Sequence, residues 1–175
     1  MQTPTPRQLA LVRRNLYDAY MRLQRDVPWR HIDNPYLTLV MEVLLQRNRG
    51  QDLLPFWPRI RKHLSGPETT LSAEGAAFLS GLFNSLGLAK RHKWIQGIAE
   101  YVLREGGVPN CMDSLLSIEG VGEYTASATL AFAFGENHGL VDANTVRIFE
   151  RYFGTTEYHN MRSKIRFWTD RKSVV

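Results

Sequence analysis

Apolar side chains recur at spacings of three and four along nearly the whole chain, and no stretch alternates apolar with polar residues long enough to build a half-buried strand. The sharpest instance is "DNPYLTLVMEVLLQRN", Asp33 to Asn48, in which Leu37, Val40, Met41, Leu44 and Leu45 share one helical face. Asp33 or Asn34 supplies the N-cap, and Pro35 suits the first turn, where its missing N–H would have had no partner. Leu9, Leu11, Val12, Leu16 and Tyr20 form an earlier amphipathic helix that ends before Val27-Pro28-Trp29. Pro55 and Pro58 punctuate the segment that follows, and Gly66-Pro67-Glu68 marks a turn before a shorter helix from Gly75 to Ser85. From Ala89 to Glu105 a basic-headed helix carries Trp94, Ile98, Val102 and Leu103, and stops at Gly106-Gly107. The fold class this predicts is all-α.

A chain of 175 residues with 43% hydrophobic content buries a real core, so one globular domain is expected, with or without a remnant of a second. The excess of 22 Lys+Arg over 17 Asp+Glu favours a polyanionic partner. A single cysteine, Cys111, excludes an internal disulfide and any cysteine-held metal cluster within these residues. With no leading apolar segment and no apolar run of spanning length, the expectation is a soluble cytoplasmic protein without membrane contact.

The chemistry concentrates in "GVGEYTASATLAFAFGENHGLVDANTVRIFERYFG", Gly120 to Gly154. Met112 to Leu116 reads as a short helix, Ile118 to Gly122 as a tight turn, and Glu123 to Phe134 as a second helix closed by Gly135. Gly120 and Gly122, flanking Val121, permit backbone angles that other residues resist and leave amide N–H groups at a helix N-terminus where a phosphate can dock. A bare connector without a ligand fits the same glycines. Asp142 stands at the start of the next helix, which carries Val146, Phe149 and Phe153, and is placed to accept from the amides two and three residues on. That capping role is compatible with catalysis, because amide donors and the positive helix end keep the carboxylate ionised. Glu42, at the edge of the apolar face of Asp33 to Asn48, either pairs with Arg47 or Arg49 or is held as a buried acid.

Two separated blocks, "VPWRHIDNPYLTLVMEVLLQRN" (Val27 to Asn48) and "SLLSIEGVGEYTASATLAFAFGENHGLVDANTVRIFERYFG" (Ser114 to Gly154), with "LFNSLGLAKRHKWI" between them, resemble the helix-hairpin-helix DNA glycosylases of the endonuclease III superfamily. Within it the likeness is to the adenine glycosylases acting on A opposite oxidised G and to the mismatch thymine/uracil glycosylases. The resemblance implies a six-helix-type glycosylase domain over 27–154 with its hairpin at 112–134, an N-terminal helix at 1–26 belonging to a second lobe, and a truncated C-terminal segment at 155–175. It places Asp142 at the deoxyribose, where positive charge builds as the N-glycosidic bond breaks, and Asn144 beside it to hold the carboxylate. Glu42 then faces the flipped base as general acid. Tyr124 stands where bifunctional members carry the lysine that forms a Schiff base, which implies a monofunctional hydrolase leaving an abasic site. Gly120, Val121 and Gly122 would grip DNA phosphate, a site compatible with a monovalent cation. Gln46 would meet the base or the gap it leaves, and Arg47 and Asn48 the DNA.

Trp29, Arg30 and His31 lie beside the expected base site or in plain core, and Lys62, Lys90 and Lys93 are phosphate contacts or solvated or, at the outside, nucleophiles. The sequence departs from the family at Ile118-Glu119, where members commonly have leucine and proline; Glu119 adds a negative charge beside the expected phosphate. It also lacks the four cysteines that hold the family's iron–sulfur cluster and ends at "MRSKIRFWTDRKSVV", in which Phe167 and Trp168 look like core residues of a longer fold. The expected partner is double-stranded DNA with a mismatched or damaged base, bound by a monomer. A catalytically silent DNA-binding module and a helical protein-interaction domain are the two competing readings.

Overall fold

In the computed structural model, residues 5–24, 26–86 and 91–153 are described. Among them the elements are helical, in the order α1 (Pro6–Leu23), a 3-10 turn (Pro28–His31), α2 (Pro35–Leu44), α3 (Gly50–Leu53), a second 3-10 turn (Leu54–Phe56), α4 (Trp57–His63), α5 (Pro67–Leu71), α6 (Ala73–Ser85), α7 (His92–Glu105), α8 (Met112–Leu116), α9 (Glu123–Phe134) and α10 (Ala143–Phe153). Prolines begin elements here: Pro6, Pro28, Pro35, Pro55, Pro58 and Pro67 all occupy first-turn positions. Lys90, Phe167 and Trp168 lie outside the described residues, as do the side chains of Phe149 and Phe153 and the segment 155–175. No described helix is long and apolar enough to cross a membrane.

The chain divides into two compact units, Val27–His138 and the combination of Met1–Asp26 with Gly139–Val175. In the first, α2 is the central helix: every residue from Tyr36 to Leu44 except Glu42 is buried. Asn34, not Asp33, is its cap, accepting from the Leu37 amide at 3.1 Å while its side-chain amide donates to the Ser65 carbonyl at 2.8 Å. The cap thereby ties the start of α2 to the turn before α5, and the Tyr36 hydroxyl, bonded to Thr70 at 2.8 Å, ties it again. α9 packs along α2. Its buried Thr125, Ala126, Ala128 and Thr129 are small, which lets the two backbones approach closely. Ile95, Ile98, Ala99 and Val102 of α7, Phe78, Leu79, Leu82 and Phe83 of α6, and Leu115, Ile118 and Val121 of the hairpin complete this core.

In the second unit α1 opens with a reciprocal cap, in which Thr5 Oγ1 accepts from the Gln8 amide at 3.3 Å and the Thr5 amide donates to Gln8 Oε1 at 2.8 Å. Val12 is its buried residue, and Leu11, Leu16, Tyr17, Tyr20 and Met21 are exposed. On α10, Val146 is buried.

Candidate active site

Glu42 interrupts the otherwise buried run of α2. Burial pushes its carboxyl up to about 7, with no neighbouring charge contributing. The ion pair with Arg47 or Arg49 that the sequence allows does not form among the described residues; the Arg49 backbone N–H instead donates to Asp52 at 3.2 Å. A carboxyl poised near neutrality inside an apolar wall is suited to give up a proton on demand.

Beyond Glu42 the helix stops sooner than the sequence pattern predicts. Helical geometry ends at Leu44, with Leu45 as C-cap, so Gln46 sits in a turn and not one helical turn further along the same face. Arg47 then adopts φ 61°, the left-handed region, at a cost of about 1–2 kcal/mol for a residue with a side chain. Gln46 spends its side-chain amide inside the protein, donating to the Gly120 carbonyl and to Thr125 Oγ1, each at 3.1 Å. Asn48 closes the turn by donating to the Leu44 carbonyl at 2.7 Å. Arg47 is exposed between them. Trp29, partly buried, packs edge-on against Trp57, 5.8 Å between ring centroids, and its ring lies against Gly50.

The hairpin joins α8 to α9. Gly120 has φ +86°, and a Cβ there would lie 2.6 Å from Trp94 Cγ, so both backbone and space demand glycine. Gly122 is different: its φ of −95° is open to any residue, and a Cβ would meet open space among the described residues. Gly122 is the N-cap of α9, a twelve-residue helix, and has no side chain with which to cap it. Val121 is buried, and Tyr124, in the first turn of α9, is 36% exposed, enough to meet a ligand. Gly120→Ala is expected to destabilise the fold by about 3 kcal/mol through strain and overpacking. Gly122→Ala should cost under about 1 kcal/mol. Thermal melting of the two variants side by side checks the contrast.

In the other unit, Asp142 caps α10 as its sequence position predicts. Its Oδ1 accepts from the amides of Asn144 at 3.0 Å and Thr145 at 2.7 Å and contacts the Thr145 hydroxyl, while Oδ2 accepts from Asn144 Nδ2 at 2.9 Å. Partial burial alone would raise its pKa, but the hydrogen bonds from Thr145 and Asn144 outweigh that and hold the carboxyl below its usual range. Asn144 is therefore the carboxylate's orienting partner, and Thr145, which sequence inspection passes over, is the second. Trp94, against Gly120, and Thr125, bonded to Gln46, were equally invisible, since their partners lie far along the chain. Among the described residues no cluster of His, Cys, Asp or Glu could hold a metal ion.

One unit thus carries the hairpin and the half-buried Glu42, and the other carries Asp142 at the start of α10. Comparison with known proteins gives the family they resemble. The chain is 32% identical over 141 residues to a thymine/uracil-DNA glycosylase of Methanothermobacter thermautotrophicus, covering 79% of this chain and 63% of that protein. It is 33% identical over 140 residues to an adenine DNA glycosylase of Mycobacterium tuberculosis, covering 78% and 46%. A solved thermostable thymine-DNA glycosylase superimposes with a TM-score of 0.81 at 27% identity, over 93% of this chain and 76% of that one. A trapped endonuclease III–DNA covalent intermediate shares the fold with a TM-score of 0.79. No family model matches the chain. The chain thus resembles the helical thymine/uracil- and adenine-DNA glycosylases over about four fifths of its length, and spans between about half and two thirds of the length of the curated relatives just named.

Proposed function

We propose that this protein is a monofunctional DNA N-glycosylase that removes a mispaired base, thymine or uracil opposite G or adenine opposite G or oxidised G, and leaves an abasic site. The observation that carries this reading is the opposite displacement of two carboxyl groups, Glu42 upward to about 7 by burial and Asp142 downward by four hydrogen-bond donors. Such a division separates an acid from an electrostatic stabiliser. Glu42, protonated, donates to the departing base. Asp142, ionised and held by Asn144 and Thr145, stabilises the oxocarbenium-like sugar and orients the attacking water. Extruding the base costs a few kcal/mol, least at a mismatch, and the hairpin at Gly120, Val121 and Gly122 holds a backbone phosphate meanwhile. Tyr124 carries no amine, so no Schiff base forms at that position.

The test is a panel of duplexes containing G:T, G:U, A:G or A opposite oxidised G, assayed for free base and for strand breaks before and after alkali. Base release with breaks only after alkali supports the reading. Covalent trapping by borohydride, or binding without release on every duplex, defeats it. The hairpin carries its own expectation, because Glu119 places a carboxylate, held by the Trp94 indole N–H at 3.2 Å, next to the proposed phosphate. Glu119→Gln should tighten duplex binding about threefold, since a like-charge repulsion across ~6 Å in high dielectric is worth about 0.7 kcal/mol. A salt titration of duplex affinity for both proteins measures it.

A further inference from the structure

Arg91 is a charged side chain only 8% exposed, and such burial needs a reason. Its guanidinium donates to the Gln46 backbone carbonyl and lies over the Trp94 ring, 5.7 Å from the centroid. Trp94 in turn fills the space that only a glycine at 120 can leave. The Gly120 carbonyl accepts from the Gln46 side chain at 3.1 Å. Arg91, Gln46, Gly120 and Trp94 thus form a closed ring drawn from the start of α7, the turn after α2 and the hairpin. The carbonyl that Arg91 grips belongs to the peptide entering Arg47, and the orientation of that peptide plane sets the left-handed φ of 61°. Asn48, donating to Leu44 on the far side, fixes the exit.

We infer that Arg91 is a positioning residue: by locking the Gln46 carbonyl it holds the strained turn at Arg47, so that the Arg47 guanidinium meets a DNA duplex in a preset orientation. An unclamped turn relaxes out of the left-handed region, and Arg47 then orders itself only on binding, at an entropic cost to affinity. Lysine at 91 keeps the charge and one donor but not the flat ring contact with Trp94, and holds the turn less firmly. The DNA half of this inference rests on the glycosylase reading above; the clamp itself does not.

The experiment joins amide hydrogen exchange of the free protein to duplex binding at fixed salt, on Arg91→Met, Arg91→Lys, Arg47→Ala and the double variant Arg47→Ala/Arg91→Met. In the parent the Asn48 amide bonds to the Leu45 carbonyl at 3.3 Å. Arg91→Met should speed its exchange at least tenfold with the α9 amides unchanged, and weaken duplex binding about tenfold. In the Arg47→Ala background the same change should alter affinity less than twofold. Unchanged exchange at Asn48 overturns the clamp, and equal losses in both backgrounds overturn its action through Arg47. If Arg91→Met does not fold, Arg91→Lys is judged by the same two criteria, with about threefold effects. A parent protein that binds no duplex defeats the glycosylase reading instead, while the exchange result still judges the clamp.

Discussion

Asp142→Asn is expected to bind a mismatched duplex as the parent does and to release its base at least about a thousandfold more slowly. Asparagine is the same size and caps helices as well as aspartate does, so the start of α10 should survive the change. Its side-chain oxygen can still accept from the Thr145 and Asn144 amides that bind Asp142 Oδ1 at 2.7 and 3.0 Å. What disappears is the full negative charge facing a sugar that becomes cationic as the bond breaks, which a neutral amide does not replace. Single-turnover base release, with duplex affinity and helical circular dichroism measured on the same preparation, separates the outcomes. A variant keeping more than a tenth of the parent rate would remove Asp142 from the chemistry. Loss of helix content would mean that the cap, not the charge, had been tested.

Glu42→Gln should lower the rate by about a hundredfold or more and also remove a pH dependence. With its carboxyl raised to about 7, Glu42 is protonated and competent as an acid below that pH. The parent rate should therefore fall about tenfold per unit as pH rises above 7, and the glutamine variant should be flat across the same range. Stability follows the same proton. The folded chain binds it more tightly than the unfolded chain, whose pKa lies near 4.5, so the contribution is complete below 4.5 and lost as pH rises through about 7. Glutamine, neutral throughout, should make the variant melt higher than the parent at pH 8 to 9 and lose that advantage in acid. A parent rate that is constant from pH 6 to 9 removes Glu42 as the acid, whatever its melting curve does.

How much of this was legible in the residues themselves depended on how local each determinant is. The helices were, because caps, first-turn prolines and apolar spacing act within a turn or two; Asn34, Pro35 and the αL glycine at 135 are all of this kind. Asp142 was legible for the same reason, since its amide partners lie two and three residues ahead. Gly120 and Gly122 looked alike in sequence, yet only Gly120 needs its glycine, because the deciding neighbour is Trp94, far back along the chain. The fate of Glu42 turned on whether Arg47 or Arg49 reached it, and a left-handed residue at 47, which no periodicity announces, redirects the chain there. Gln46 reads in sequence as a group turned toward a ligand, while its side-chain amide braces Gly120 and Thr125, which are 74 and 79 positions away. Contacts of that span leave no trace in local spacing.

Glycine at position 47 would adopt the left-handed conformation without side-chain strain, and among the described residues Arg47 pairs with no acid. Under the function proposed above, a long cation at that spot answers a demand made from outside the molecule, met at the expense of rest.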